Sequence, residues 1–209
     1  EAVVAEVKDQ DPDKPIVIRS TVPPGTSESL GVSFMPEFLT ERNWKHDFRN
    51  CAQWILGTHC VDTYKAVSSV FACAYDKGNG SIVNGDVLLT TPKEAELVKY
   101  VKNCFLATKV SFFNEIWQLC QSLGIDYEEV RHLSCDDSRI GHGHTYIPGP
   151  DGKRGFGGTC FPKDMGSLAT IIRDSGLTPY VISGAISRNE IEDRPEKDWM
   201  FDKGRAVSE

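Results

Sequence analysis

The first 90 residues alternate between short apolar runs and segments with helical spacing. The apolar runs, of the kind that form buried strands, are residues 16–20, 32–35 and 53–57. Thr26 would cap a helix after the first run, and residues 61–74 repeat apolar side chains at helical spacing. This alternation of strand and helix predicts an α/β fold, in which residues 1–90 form part of a doubly wound, Rossmann-like sheet.

The longest periodic segment is residues 92–123, where apolar side chains recur every three or four positions. Thr91 and Glu94 form a capping box with a proline at the first helical position, and Gly124 ends the pattern. At about 1.5 Å per residue, the helix would run roughly 50 Å. A helix of this length predicts contact with a second domain or a second copy of the chain, so we expect a homodimer through residues 92–123.

Three further helices complete a mainly helical central domain, predicted over residues 91–191. They cover residues 125–134, a segment from Thr159 to near Gly176, and residues 180–191. In the first of them, Tyr127, Val130 and Leu133 are expected to point inward. Residues 192–209 are rich in charge and predict an exposed or disordered tail.

Composition narrows the functional classes. A net charge of -7 and a pI near 5.3 argue against a nucleic-acid or anionic-membrane surface. Apolar runs stay well short of the roughly 20 residues that span a bilayer. Seven cysteines, an odd number without a CxxC pair, indicate free thiols in a reducing, cytoplasmic compartment.

A glycine-rich run at residues 155–164 is poor material for a core and holds the strongest candidate chemistry. Its glycines let a ligand approach closely, and Thr159 would cap a helix that places Cys160 in its first turn. There the positive end of the helix dipole and the nearby Lys163 favour a thiolate. The run therefore indicates a cysteine nucleophile followed by Asp164. The alternative is a small buried cysteine in a glycine-rich turn.

A metal site is the weaker interpretation of a second cluster. His142 and His144 form an HxH pair near Cys135 and Asp136. Because a polar, glycine-rich loop supplies such residues by chance, we expect no metal.

Residues 155–164 resemble the catalytic-cysteine signature of the UDP-glucose 6-dehydrogenase family, sugar-nucleotide dehydrogenases that oxidise an alcohol to an acid. Residues 20–25, STVPPG, resemble a loop of that family's NAD domain, and residues 36–41, PEFLTE, are similar to its sugar-site segment. Lys99 and Asn103 match its KxxxN segment. Residues 136–141, DDSRIG, resemble the family's RIG segment, in which the arginine, at the position of Arg139, reaches the substrate of a neighbouring subunit.

The resemblance implies a role for each matching residue. Catalytic roles fall to Cys160, Lys99, Asp164, Asn103, Glu37, Glu41 and Thr21. Substrate contacts are implied for Lys163, Arg139, Phe156, Gly157, Phe38 and Leu39. Contacts with NAD are implied for Thr21, Glu41 and Cys160. Taken alone, the single polar matches are equally compatible with solvated surface side chains.

The implied activity is NAD-dependent oxidation of UDP-glucose to UDP-glucuronate by two hydride transfers, through a Cys160 thiohemiacetal and thioester, for polysaccharide biosynthesis. Asp164 would handle a proton or orient water, and Lys99 would stabilise oxyanions. A GxGxxG turn does not occur in the sequence, so we expect residues 1–90 to be the C-terminal part of the family's Rossmann-like NAD-binding domain. No counterpart of the family's C-terminal domain is recognised, so we expect a chain that lacks that domain as well as the N-terminal half and is inactive alone. The alternatives are dehydrogenation of GDP-mannose or UDP-N-acetyl-mannosamine, a non-catalytic dimerising fragment, or a cysteine hydrolase or thiol-redox protein.

Overall fold

The computed structural model describes residues 1–40, 43–77 and 81–201. The chain divides into two compact units, the first comprising Glu1–Lys99 and the second beginning at Tyr100. Strands and helices alternate in the first unit, and the second unit is helical. The α/β fold predicted from the sequence is confirmed.

The first unit contains a four-stranded sheet and its helices. In chain order, its elements up to the long helix are α1 (Ala2–Gln10), β1 (Val17–Ile18), α2 (Thr26–Ser29), β2 (Ser33–Phe34), α3 (Trp44–Arg49), β3 (Trp54–Gly57), α4 (Val61–Lys77) and β4 (Val87–Thr90). The strand order is β1-β2-β3-β4, with β1 and β2 parallel, β2 and β3 antiparallel, and β3 and β4 parallel. Sequence reasoning missed α3, which buries no side chain, and the short β4 beside the capping box.

A hydrophobic cluster underlies this sheet and comprises Met35, Trp54, Leu56, Ile82 and Val87. Gly57 ends β3 directly against the start of the next helix, where an added Cβ would lie 2.6 Å from the Pro92 Cα. Only glycine fits there without moving backbone. The sheet and the long helix are therefore in close backbone contact within this unit.

The long helix α5 (Pro92–Leu123) has the ends that the sequence predicts. The Thr91 amide donates to Glu94 at 3.0 Å, and the Glu94 amide donates to the Thr91 hydroxyl at 3.3 Å, which confirms the capping box. Gly124 takes a φ of 68°, and the Ile125 amide donates to the Cys120 carbonyl at 3.0 Å. Apolar side chains exposed along α5 include Leu97, Val101, Phe105, Phe112, Leu119 and Leu123. The homodimer through this helix stays a prediction.

The second unit continues with α6 (Tyr127–Cys135), α7 (Phe161–Asp174) and α8 (Tyr180–Arg188), followed by a π-helical turn (Asn189–Asp193) and a 3₁₀ turn (Asp198–Met200). One cluster contains Cys104, Ala107, Phe156, Met165 and Ala185, and another contains Phe113, Cys120, Tyr127 and Cys135. Tyr127 is buried as predicted, whereas the prediction for Leu133 is wrong, because its side chain is 65% exposed. None of the described helices is both long enough and apolar enough to cross a membrane.

The prediction of an exposed or disordered tail is wrong for its first part. Asp193 and Arg194 are buried. The Arg194 guanidinium binds Asp151 at 2.6 Å and Asp198 at 2.5 Å. Charge alone predicted solvent exposure, but these charges are paired across the chain, which permits burial. Residues 202–209 lie outside the described residues.

Candidate functional site

The loop before Cys160 is fixed by a buried asparagine. The Asn189 side chain is fully buried, accepts a hydrogen bond from the Phe156 amide at 2.8 Å and donates to the Phe156 carbonyl at 2.9 Å. Gly155, at a φ of 67°, lies so close that an added Cβ would be 2.3 Å from the Asn189 Oδ1. The backbone of the cysteine loop is thus anchored to the π-helical turn after α8.

Arg194, in the segment that was predicted to be a tail, packs against the same loop. An added Cβ on Gly157 would lie 2.4 Å from the Arg194 Cζ, so the guanidinium packs directly on the glycine backbone. Asp151 and Asp198 hold that guanidinium in place. Gly157, predicted to contact substrate, therefore also has a packing reason to be glycine.

Cys160 is the N-cap residue of α7, and its carbonyl accepts the Asp164 amide at 2.9 Å. The expected Thr159 cap is wrong by one residue, since α7 begins at Phe161 with a proline in its first turn. The Cys160 side chain is exposed, with the Thr159 hydroxyl 3.9 Å from its sulfur. A thiol therefore stands at the amino end of a 14-residue helix, where backbone amides are unpaired.

One turn further on, Asp164 is a buried carboxylate with a side chain only 1% exposed. Asn103 on α5 donates to its Oδ2 at 2.6 Å. The Lys163 ammonium lies 3.1 Å from its Oδ1, although no described residue gives Oδ1 a hydrogen bond of good geometry. Asn103, Lys163 and Asp164, predicted separately, are brought together beside the cysteine turn.

A second thiol lies beneath this group and is chemically different. Cys104 is 1% exposed, and burial together with the nearby Asp164 charge raises its pKa to about 12. It is therefore a neutral thiol at physiological pH. Of these two cysteines, only Cys160 offers an accessible sulfur.

Three predicted residues of the first unit lie close to the end of β1. Lys99 on α5 is 9% exposed and donates to the Arg19 carbonyl at 3.2 Å. The Arg19 guanidinium lies 3.8 Å from the Glu37 carboxylate. Thr21 is half-buried in the loop that follows β1.

The STVPPG loop is held by a carboxylate that sequence reasoning missed. Glu96, fully buried on α5, accepts hydrogen bonds from the Gly25 amide at 2.5 Å and the Ser27 amide at 2.8 Å. The prediction that Thr26 caps α2 is wrong, because Gly25 is the N-cap and the Thr26 hydroxyl donates to the Pro23 carbonyl at 2.7 Å. The amino end of α2 is therefore already satisfied within the chain.

The remaining predicted residues differ in exposure. Phe156 is 4% exposed within a hydrophobic cluster, whereas Phe38 and Leu39 are half-buried. Arg139 is 88% exposed and forms a two-pronged pair with Asp137, the shorter contact at 2.5 Å. Glu41 lies outside the described residues. Their substrate and cofactor contacts stay predictions.

The predicted HxH pair does not act as a unit. Cys135 is buried, and the His144 ring lies 5.8 Å from the Phe161 ring. Burial and the Lys109 charge lower the pKa of His144. His142 instead faces Asp136, with 3.0 Å between its Nε2 and the carboxylate.

Sequence reasoning missed Asn189, Arg194 and Glu96, the three side chains that fix the two candidate loops. Each bonds to a partner more than 30 residues away or packs on it. None of the three lies in a recognisable motif, so the sequence gives no signal for such contacts. The buried position of Glu96 within the apolar periodicity of α5 was the one available indication.

The α/β unit is followed in the chain by a helical unit, in which an exposed cysteine lies behind glycines and a buried aspartate lies one turn later. Residues 93–191 match the UDP-glucose/GDP-mannose dehydrogenase family, central domain. These residues therefore belong to this family.

Curated relatives and a solved structure agree with this assignment. The chain is 33% identical over 199 residues to UDP-glucose 6-dehydrogenase of Rickettsia bellii, covering 90% of this chain and 42% of that protein. It is 34% identical over 191 residues to UDP-glucose 6-dehydrogenase TuaD of Bacillus subtilis, covering 85% and 38%. A UDP-glucose dehydrogenase structure from Pyrobaculum islandicum aligns with a TM-score of 0.72 and 33% identity, covering 83% of this chain and 40% of that one. The chain thus spans about two fifths of the length of these relatives.

Proposed function

We propose that this chain supplies the catalytic cysteine of an NAD-dependent UDP-glucose 6-dehydrogenase, which forms UDP-glucuronate. The observation that carries the proposal is the exposed Cys160 at the start of α7, followed one turn later by the buried Asp164. An accessible sulfur beside a fixed polar group suits attack on an aldehyde carbon.

Cys160 is proposed to form a covalent bond with the partly oxidised sugar. Its sulfur adds to the C6 aldehyde, and the carbonyl oxygen takes up a proton to give a thiohemiacetal. Loss of hydride from that carbon, and of the hydroxyl proton, leaves a thioester. Water then cleaves the thioester, which releases the carboxylate and returns the thiol.

Asp164 and its neighbours Asn103 and Lys163 are proposed to orient water and to bind the substrate in this reaction. Asn103 fixes one carboxylate oxygen, so the Asp164 side chain keeps its orientation as charge develops nearby. Lys163, whose side chain is 47% exposed, presents its ammonium to solvent and substrate while it pairs with the other oxygen. In this role Asp164 orients water, and Lys163 binds the sugar nucleotide.

The first-unit residues are proposed to act as the family resemblance implies. Lys99 would stabilise oxyanions, and Glu37 or Glu41 would assist hydrolysis with Thr21. The low exposure of Lys99 and its bond to the Arg19 carbonyl support a fixed ammonium rather than a mobile surface one. The relation of Arg139 to a neighbouring subunit is part of the same proposal.

The fit of this chain to NAD is partial. Thr21 follows β1 at its carboxyl end, the edge at which open α/β sheets bind nucleotides. The amino end of α2 does not suit a pyrophosphate, because the Glu96 carboxylate already accepts its amides. NAD⁺, when bound, supplies the hydride acceptor. Among the described residues, we identify no contact for the phosphates of NAD⁺.

Calorimetric titration of the chain with UDP-glucose and GDP-mannose tests the substrate. We expect UDP-glucose to bind at least about 10-fold more tightly, a difference of about 1.4 kcal/mol. Lys163→Met should weaken UDP-glucose binding, whereas Lys65→Met, an exposed lysine on α4, should not. Tighter binding of GDP-mannose, or equal effects of the two lysine substitutions, would contradict the proposal.

A further inference from the structure

Three metal-ligating side chains converge where α6 ends, outside the proposed catalytic group. His132 and Asp136 lie one turn apart on this helix end, and His142 approaches from the loop that follows. The Asp136 Oδ1 is 3.0 Å from the His142 Nε2 and 3.6 Å from the His132 Nδ1. The three ligand atoms all lie within 4.8 Å of one another.

We propose that His132, Asp136 and His142 bind a divalent transition-metal ion of the zinc type. Two imidazoles and a carboxylate suit such ions, whereas Mg²⁺ and Ca²⁺ prefer sites made of oxygen ligands. Ligand bonds of about 2.0–2.1 Å in a tetrahedron place donor atoms roughly 3.3 Å apart. Two observed separations bracket that value and the third lies within 4.8 Å, so rotation of these side chains closes the site, with water at the fourth position.

The loop ligand is held in place by its backbone. The buried Thr145 hydroxyl donates to the His142 carbonyl at 2.7 Å, and the Tyr127 hydroxyl donates to the Thr145 carbonyl at 2.6 Å. Lys109 donates to the carbonyls of the two residues before His142, each at 2.8 Å. An ion would therefore have less of this segment to order, which lowers a main cost of binding.

Some charges around the three ligands favour the binding of a cation, and others oppose it. Asp136 is the C-cap of α6, where the negative end of the helix dipole disfavours a carboxylate and favours a cation. The Arg131 guanidinium, 3.5 Å from the other ring nitrogen of His142, opposes the ion. Arg131 is itself paired with Glu128 at 2.7 Å, which offsets part of its charge.

A metal ion at this position would affect the loop that joins two of its ligands. Residues 137–141, which include Arg139, connect two of its ligands, Asp136 and His142. A bound ion would join the two ends of that segment and restrain it. The sequence pointed to the HxH pair instead, because the approach of His132 depends on the fold.

Cobalt and zinc titration of the reduced, chelator-treated chain tests this proposal. We expect one Co²⁺ per chain with visible d–d absorption, no thiolate charge-transfer band, and displacement by Zn²⁺. His132→Gln, Asp136→Asn and His142→Gln should each weaken binding at least about 100-fold, since even groups that only support a ligand cost 10–100-fold. Zn²⁺ should also slow amide hydrogen exchange in residues 137–141.

His46→Gln and His144→Gln are the matched controls, and neither should change the affinity more than about 2-fold. His46 is an exposed histidine 3.8 Å from the Asp47 carboxylate, and no third ligand joins this pair among the residues that the structure describes. The proposal is overturned if the chain takes up no Co²⁺, if a thiolate band shows that exposed cysteines bind it, or if His144→Gln acts like His132→Gln. Unchanged helical circular dichroism in each variant shows that folding is not the cause.

Discussion

The contact between Asn103 and Asp164 allows a worked prediction for Asn103→Ala. The substitution removes a 2.6 Å hydrogen bond to a carboxylate that is 1% exposed, and no described residue gives the other oxygen a well-aligned bond. A hydrogen bond to a charged group contributes about 1.5–3 kcal/mol, and its loss leaves this group poorly paired. We expect the free energy of unfolding to fall by about 2–3 kcal/mol.

Urea unfolding followed by helical circular dichroism measures this change. Asn50→Ala, which removes an exposed side-chain bond to the His46 carbonyl, should cost less than about 0.5 kcal/mol. In an Asp164→Asn background, the cost of Asn103→Ala should fall below about 1 kcal/mol, because a neutral amide tolerates a missing partner better than a charge does. A loss under about 0.5 kcal/mol in the native background, or an undiminished loss in the Asp164→Asn background, would show that this hydrogen bond does not stabilise the Asp164 carboxylate.

Three further predictions concern the second unit. At pH near 8, a Cys104 thiol with a pKa of about 12 carries about 1,000-fold less thiolate than one at 9.0, so peptide mass spectrometry should find it alkylated only after urea unfolding. Gly157→Ala should destabilise the chain by about 1–3 kcal/mol through its clash with Arg194, whereas Gly166→Ala, whose Cβ meets open space in α7, should stabilise it by about 0.5–1 kcal/mol in urea titrations. Hydrogen bonds from Arg194, and then Lys153, lower the pKa of Asp198, so its contribution is present at neutral pH and lost as pH falls below 3.8; the urea midpoints of native chain and Asp198→Asn should converge in acid.

The fold was predictable where local chemistry determines it. The capping box of Thr91 and Glu94 and the positive φ of Gly124 define α5 at both ends without reference to the rest of the chain. Periodicity failed for Leu133, since a helix face that is apolar in sequence need not be the face that packs. The charge of residues 192–209 misled in the same way for Arg194, whose burial depends on carboxylates 4 and 43 residues away.

The candidate site shows the same division. Cys160, Lys163 and Asp164 lie within five residues of one another, and the motif that contains them identified all three as candidate site residues. Asn103, 61 residues from Asp164, was found only through family resemblance. Glu96 has no such motif, and only the fold shows that its carboxylate fixes the amides of the STVPPG loop.

Cysteine reactivity alone does not isolate the proposed nucleophile. Cys60 is also exposed, and a hydrogen bond from the Thr63 side chain is the main cause that lowers its pKa. Fast alkylation is therefore expected at Cys60 as well as at Cys160. Protection by substrate distinguishes the two, with Cys60 as the internal control.

The most direct test measures the iodoacetamide rate of each cysteine at pH 7 by peptide mass spectrometry, with and without saturating UDP-glucose. We expect UDP-glucose to slow the alkylation of Cys160 at least about 10-fold and to leave that of Cys60 unchanged, whereas GDP-mannose at the same concentration should protect neither. A Cys160 rate that stays the same with UDP-glucose, or that falls only in parallel with Cys60, would contradict the claim that Cys160 is the nucleophile of a UDP-glucose site.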